Sequence, residues 1–222
     1  MNKMKLNLQL FGGRGAGSGI PSAVPGGGGS SGSGRLDQQP GLSKTLEEAL
    51  GAKGRPMSTD KAVLGANPFH SLGREYQENC QRCVIATEAR FRGYNVVALP
   101  TFDGDTMPIG KNYANNFKNA KVNNIGRTTA NATKNSIEKQ MKEYGDGSRA
   151  IIAVQWKGRN ASGHVMNVVQ RNGKTHVYDG QTGKQYKLSD VLNVSRTKST
   201  QLVRVDNLEF SNQAREAVRR KK

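Results

Sequence analysis

The sequence predicts an α+β domain behind a flexible tether, on three observations. A helical stretch, Asn79 to Arg92, comes early in the packed part of the chain. An apolar run, Ala150 to Trp156 (AIIAVQW), reads as a buried strand. Two further strand-like runs, His164 to Arg171 and Lys174 to Tyr178, flank Asn172-Gly173. That dipeptide supplies the positive φ angles of a two-residue hairpin turn. Helix first and mostly antiparallel strands afterwards is the order of an α+β domain.

The elements follow in order. The opening MNKMKLNLQLF resembles a signal peptide only at first sight. Asn7 and Gln9 interrupt the leucines and Gly12-Gly13 end them, so no apolar core of about 7–15 residues forms. Leu6, Leu8 and Leu10 alternate with polar residues, as in a short strand or a docking peptide, and residues 1–11 are read as that peptide or as an inert tail. The sequence alone favours the tail. From Gly12 to Gly34 the chain is mostly Gly, Ser, Ala and Pro. It buries too little apolar area to offset its ordering entropy, so residues 12–58 are expected as a linker holding one short helix. That helix is SKTLEEAL, Ser43 to Leu50, with Ser43 as cap and Leu46, Ala49 and Leu50 on one face. The packed domain is expected over 59–210.

Asn79 caps the predicted helix 79–92, Cys80, Cys83, Val84 and Thr87 share a side, and Gly93 stops it. Tyr94 to Leu99 reads as a strand, Asn135 to Tyr144 as a helix ended by Gly145, and Gln201 to Val205 as another strand. Trp156 and Tyr94 are expected in the core. Residues 211–222 read as a basic tail, helical or frayed.

Composition narrows the functional classes. Of 222 residues, 34 are Lys or Arg and 17 Asp or Glu, for a net charge of +17; Gly supplies 27. No apolar run reaches the roughly 18–20 residues that cross a bilayer, so no membrane role is expected. Two cysteines make no disulfide scaffold, and the chain reads as a soluble protein of a reducing compartment or one whose thiols react. The charge is spread, with a cluster at Arg215, Arg219, Arg220, Lys221 and Lys222. Spread charge favours non-specific, salt-sensitive contact with nucleic acid, or contact with an acidic protein substrate, or serves solubility alone.

Cys80 carries the chemistry in this reading. It falls in the first turn of its helix, where unpaired N–H groups and the helix dipole favour an anion, and a thiolate is the attacking form of a cysteine. Cys83, a turn later, is the alternative nucleophile. A thiol enzyme also needs a base and a group that orients it. Three histidines are present, His70, His164 and His176. With Asn172-Gly173 as the turn, Arg171 faces Lys174, Met166 faces Asp179 and His164 faces Gln181. His164 and Asp179 are then diagonal neighbours on one face, and His176 falls on the other. The backbone N–H of Cys80 is one candidate oxyanion donor, with the side chain of Gln77 or Asn79 as a second. Gln181 either orients His164 or packs at the turn. The Cys80/Cys83 spacing also fits a redox or zinc half-site. The first lacks a preceding thioredoxin-like strand and the second lacks two more ligands, so no metal and no cofactor are expected.

The stretch Asn79-Cys80-Gln81-Arg82-Cys83-Val84, continuing through Ala86, Glu88, Arg90 and Arg92-Gly93-Tyr94 to Val96, resembles the papain-fold toxin family (Tox-PL). Gly163-His164-Val165, Asn167-Val168, Tyr178-Asp179 and Gln181-Thr182-Gly183 are similar to its second half, and the likeness spans about Asn67 to Val205. That family includes glutamine deamidases and peptidase-like relatives, and versions occur with bacteriophage head proteins. The resemblance implies a papain-like fold, in which a helix carrying the Cys packs on an antiparallel sheet carrying the His and Asp. By position it implies a Cys80, His164, Asp179 triad acting on amides of a protein substrate. The opening LNLQLFGGRG is similar to the start of structural proteins in phages of Gram-positive bacteria. Together these place the protein in a phage virion or the cytoplasm of a bacterial host, with capsid or portal proteins as partners. The other function open at this point is a catalytically silent, basic minor head protein that binds DNA or capsid.

Overall fold

The computed structural model describes residues 42–102, 113–159 and 161–221. The docking peptide and the Gly-rich part of the linker lie outside the described residues. The chain runs through α1 (Leu46–Leu50), α2 (Thr59–Leu64), α3 (Arg74–Gln77), α4 (Cys80–Phe91), β1 (Val96–Ala98), β2 (Asn123–Asn124) and α5 (Ala130–Tyr144). There follow β3 (Arg149–Gln155), β4 (Gly163–Arg171), β5 (Lys174–Asp179), β6 (Lys184–Tyr186), α6 (Leu188–Asn193), β7 (Gln201–Arg204) and β8 (Val218–Arg220). The main sheet is antiparallel throughout, in the order β2-β7-β3-β4-β5-β6.

The apolar run predicted as a buried strand is β3, near the middle of this sheet between β7 and β4. Its two sets of alternating side chains feed two cores, as period-two geometry requires. Ile151, with Val165 and Val203, packs against Cys83, Val84 and Ala86 of α4. Ile152 and Val154, with Met166, Val168 and Leu202, pack against Ile137 and Met141 of α5 and Leu188, Val191 and Leu192 of α6. The sheet is therefore covered on both faces, and α4 is the helix on the face that matters below.

The hairpin has the predicted register. Arg171 pairs with Lys174 and Asn167 with Tyr178. Asn172 and Gly173 have φ of 51° and 69°, the two positive angles that make a tight turn compatible with strand twist.

Three segments differ from expectation. The cap of α1 is Thr45, not Ser43; its hydroxyl accepts from the Glu48 N–H while Glu48 reaches back, a complete capping box. The helix expected from Asn135 begins at Ala130, because Thr129 caps it by accepting from the Ala132 N–H. Residues 211–220 are built into the fold rather than trailing from it. A 3-10 turn spans Asn212–Glu216 and β8 pairs antiparallel with β1, Val96 opposite Arg220 and Ala98 opposite Val218. Ala214, Ala217 and Val218 are buried with Ala49 and Leu50 of α1. These apolar residues are masked in the sequence by their basic neighbours, and the free edge of β1 provides the backbone partners that a local pattern cannot reveal.

Candidate active site

Cys80 is the first residue of α4 and 7% exposed. Asn79 precedes it as N-cap residue, yet its side chain makes no capping bond. It is used sideways instead. Its Oδ1 accepts from the Cys83 thiol at 3.1 Å, and its Nδ2 donates to the Leu99 carbonyl at 3.0 Å. Asn67 stands beside it and donates to the carbonyls of Tyr76 (2.8 Å) and Gln181 (3.0 Å). Gln181 in turn donates from Nε2 to the Gln77 carbonyl at 2.7 Å, and Gln77 donates from its own Nε2 to the His70 carbonyl at 3.2 Å. This buried amide network ties the start of α4 to α3 and to the turn after β5. Gln77, Asn79 and Gln181 thus sit behind the site as its frame. Gln181 touches Asp179 through its backbone and makes no bond to His164 among the described residues.

The second half of the site comes from the β4–β5 hairpin. His164 is the second residue of β4, opposite Val154. Its Nε2 lies 3.2 Å from Asp179 Oδ2, which leaves Nδ1 as the nitrogen for the Cys80 thiol, a neighbour close enough to raise the basicity of the ring. Asp179 is the last residue of β5 and is fully engaged. Oδ1 accepts from the Gln181 N–H at 2.9 Å, an Asx turn, and Oδ2 accepts from the Thr182 hydroxyl at 2.9 Å. The intervening Gly180 permits the approach of this turn to α4. A Cβ there would stand 2.2 Å from Thr87 Oγ1 and 3.2 Å from the Cys83 carbonyl oxygen. Any other residue would force Thr87 or the turn that holds Asp179 to move. Trp156 stacks against His164, with ring centroids 5.9 Å apart and planes 24° from parallel.

Electrostatics separate the two thiols. Burial, and after it the charges of Asp179 and Cys80, push the Cys83 thiol well above its usual pKa. At 1% exposure and bonded to Asn79, Cys83 stays a neutral packing group. Burial also opposes a charge on His164, but the Asp179 carboxylate outweighs it, with the Cys80 hydrogen bond adding to the effect. The imidazolium pKa is raised to about 10. Burial would raise Asp179 too; His164, the Gln181 N–H and the Thr182 hydroxyl hold it below its ordinary value instead. The resting pair at neutral pH is imidazolium and carboxylate.

Cys80 and His164 open onto a cleft of about 530 Å³ lined also by Gln81, Thr101, Gln155, Ser162 and Gln201. Cys83 does not line it. His176 is elsewhere on the hairpin, its Nδ1 3.2 Å from Gln185 Nε2 and its ring stacked on Tyr178. Among the described residues no three His, Cys, Asp or Glu side chains converge as metal ligands, and no helix is long and apolar enough to cross a membrane. Sequence reasoning missed Thr182, Gly180, Asn67 and the stacking of Trp156. Thr182 and Gly180 had a local signal in the Asp-Gly-Gln-Thr turn; Asn67 and Trp156 had none.

A cysteine at the head of a helix, facing a histidine and an aspartate on an antiparallel sheet, defines the papain-like class of fold and site. Within that class, residues 78–184 match the family described as papain fold toxin 1, glutamine deamidase. That segment, which holds Cys80, His164 and Asp179, is similar to this family. The comparisons with curated proteins and with solved structures return no match.

Proposed function

We propose that the protein deamidates a glutamine side chain of a protein substrate. The observation that carries this reading is the line Cys80–His164–Asp179, open to a cleft at its cysteine end, inside a segment similar to a glutamine deamidase family. Cys80, as thiolate, attacks the carboxamide carbon. The charge that develops on the amide oxygen is received by the Cys80 backbone N–H, which heads α4 with no acceptor of its own within the helix. His164, already protonated, delivers its proton to the departing nitrogen, so ammonia leaves and a thioester remains. Neutral His164 then takes a proton from water, whose oxygen attacks the thioester. Glutamate is released and the Cys80–His164 pair is restored. Asp179 holds the imidazole orientation through Nε2 and stabilises its charge.

The test is direct. The full chain is incubated with bacterial cell extract, and tryptic peptides are scanned for conversion of Gln to Glu. Conversion at defined glutamines by the wild type, absent with Cys80→Ala and with His164→Ala, is the expected result. Peptide-bond cleavage or Gln–Lys cross-links at the same dependence on Cys80 would replace deamidation with a peptidase or transglutaminase. Salt-sensitive DNA or capsid binding that survives Cys80→Ala, with no turnover of any kind, would replace it with a silent head protein. The proposed setting, a phage particle or its host cytoplasm, rests on the likeness of the opening peptide to phage structural proteins.

A further inference from the structure

Among the described residues, the segments that supply one part of the cleft's lining carry cations without acids. Three chain segments contribute to this lining. They are β2, the β3–β4 connection and the approach to β7, which supply Asn124, Ser162 and Ser199. They are locked together. Arg196 donates from its backbone to the Gln155 carbonyl at 2.7 Å and from Nη2 to the Gly158 carbonyl at 2.6 Å. Trp156 bridges to Ser195, and Thr197 Oγ1 donates to the Thr128 carbonyl at 3.3 Å. In sequence these segments lie within 113–137, 147–178 and 191–205, and none of the three stretches contains an Asp or Glu. They carry Arg127, Lys157, Arg159, Arg196 and Lys198, all exposed; Lys198 adjoins Ser199 and Arg159 stands two residues before Ala161, both of which line the cleft. Among the described residues none of the five is paired with a carboxylate. The carboxylate in the described lining is Glu78, and it is held by Arg74 at 2.6 Å.

Charge needed only for solubility is served best by interspersing both signs, since like charges gathered at one place repel. Here the acids are excluded from three separate stretches that come together only in the folded chain, each contributing to the cleft that Cys80 lines. We infer that this rim binds an acidic segment of the substrate protein, so that the target glutamine is presented with Asp or Glu residues beside it. The inference rests on the deamidase reading, because that reading is what makes the occupant a polypeptide. A nucleic acid offers the same anionic surface but no carboxamide to bring to Cys80. Complementary charge at the rim acts on encounter and register, so its signature is steep dependence on ionic strength.

The experiment uses the full chain carrying Cys80→Ala, so that binding is read without turnover. Two fluorescein-labelled peptides each hold one glutamine, flanked in one by Asp and Glu and in the other by Ser. Their anisotropy titrations are run at low and high salt beside a short duplex DNA. The expected result is a preference of about tenfold or more for the acidic peptide at low salt, shrinking at high salt. Arg159→Glu with Lys198→Glu should abolish that preference and leave the Ser-flanked peptide unchanged. Both side chains are exposed and neither anchors the rim, and a thermal melt confirms folding. Equal affinity for the two peptides, or a preference that survives the double variant, overturns the inference. Loss of DNA binding in the double variant with no acidic-peptide preference in its parent also overturns it and gives the rim to nucleic acid. If the acidic peptide binds as expected but wild-type protein turns over neither peptide, the deamidase reading fails while the rim assignment stands.

Discussion

Helix α4 serves two buried clusters in which a carboxylate meets a cation, one at each end, and they are built to opposite purposes. At its start, Asp179 meets His164, whose other nitrogen is left for Cys80 at the edge of the cleft. Toward its end, Glu88 is fully buried and accepts from Arg92 Nε at 2.8 Å and from Arg149 Nε and Nη2 at 2.8 and 3.0 Å. Arg92 also donates to the carbonyls of Val205 and Leu208 and lies over Phe210, 4.4 Å from the ring centroid. Arg149 lies over Phe91. Guanidinium does not titrate in any ordinary range, and each of these two is held by hydrogen bonds and at least one aromatic ring. That cluster can only hold chain segments together. The His164 cluster has a cation that changes state and an open side. A buried ion pair therefore points to chemistry when its cation is titratable and one of its faces reaches a cleft, and to architecture when neither holds.

Variants at the two ends should separate these purposes. The largest effect is expected at Cys80→Ala: turnover falls by about 10⁴-fold or more, with the melting curve nearly unchanged. Glu88→Gln leaves two guanidiniums facing a neutral group in the interior and should cost about 3–5 kcal/mol in chemical denaturation. The fraction still folded should keep normal alkylation kinetics at Cys80; a loss of reactivity there would mean that the two ends of α4 are not independent. Asp179→Asn is expected to lower kcat by roughly 10³-fold, since the imidazole loses its orienting acceptor. Folding stability should also follow the charge of the pair. With its folded pKa raised, His164 contributes stability that is complete below about pH 6.5 and lost as the pH climbs through about 10. Asp179, held low, contributes stability above the usual carboxylate range that is lost as the pH falls below it. Denaturation across pH for wild type against His164→Gln should therefore converge at the alkaline end. The smallest effect belongs to Cys83→Ala, which removes one hydrogen bond and a little volume and should cost about 1 kcal/mol while leaving turnover within a few-fold.

Parts of this arrangement were legible in the sequence because their cause is local. Asn172-Gly173 admits one hairpin register, and the register alone brings His164 beside Asp179. Gly93 and the apolar spacing after Asn79 mark α4, so Cys80 is recognisable at a helix start. The frame was not legible. Asn67 and Gln181 are 114 positions apart, and the side-chain amide of Asn67 meets the Gln181 main-chain carbonyl only after the turn behind β5 has docked on α4. Asn79 looks like a cap from its neighbours alone, but the thiol of Cys83 and the carbonyl of Leu99 compete for its amide and win. Short elements such as β6 and α6 lack the length for a periodic signal, and β8 is defined by the edge it joins rather than by its own composition.

Trp156 is the single tryptophan of the chain, and its indole is stacked on His164. Its fluorescence therefore comes from beside His164 rather than from the protein at large. An imidazolium ring quenches indole emission by accepting an excited electron, whereas neutral imidazole does so far less. The emission intensity thus reports the protonation of His164 from within the folded protein, with no label attached. Under the proposed deamidation, a single turnover followed in a stopped-flow instrument would show the proton leaving His164 for ammonia as a rise in light and returning as a fall.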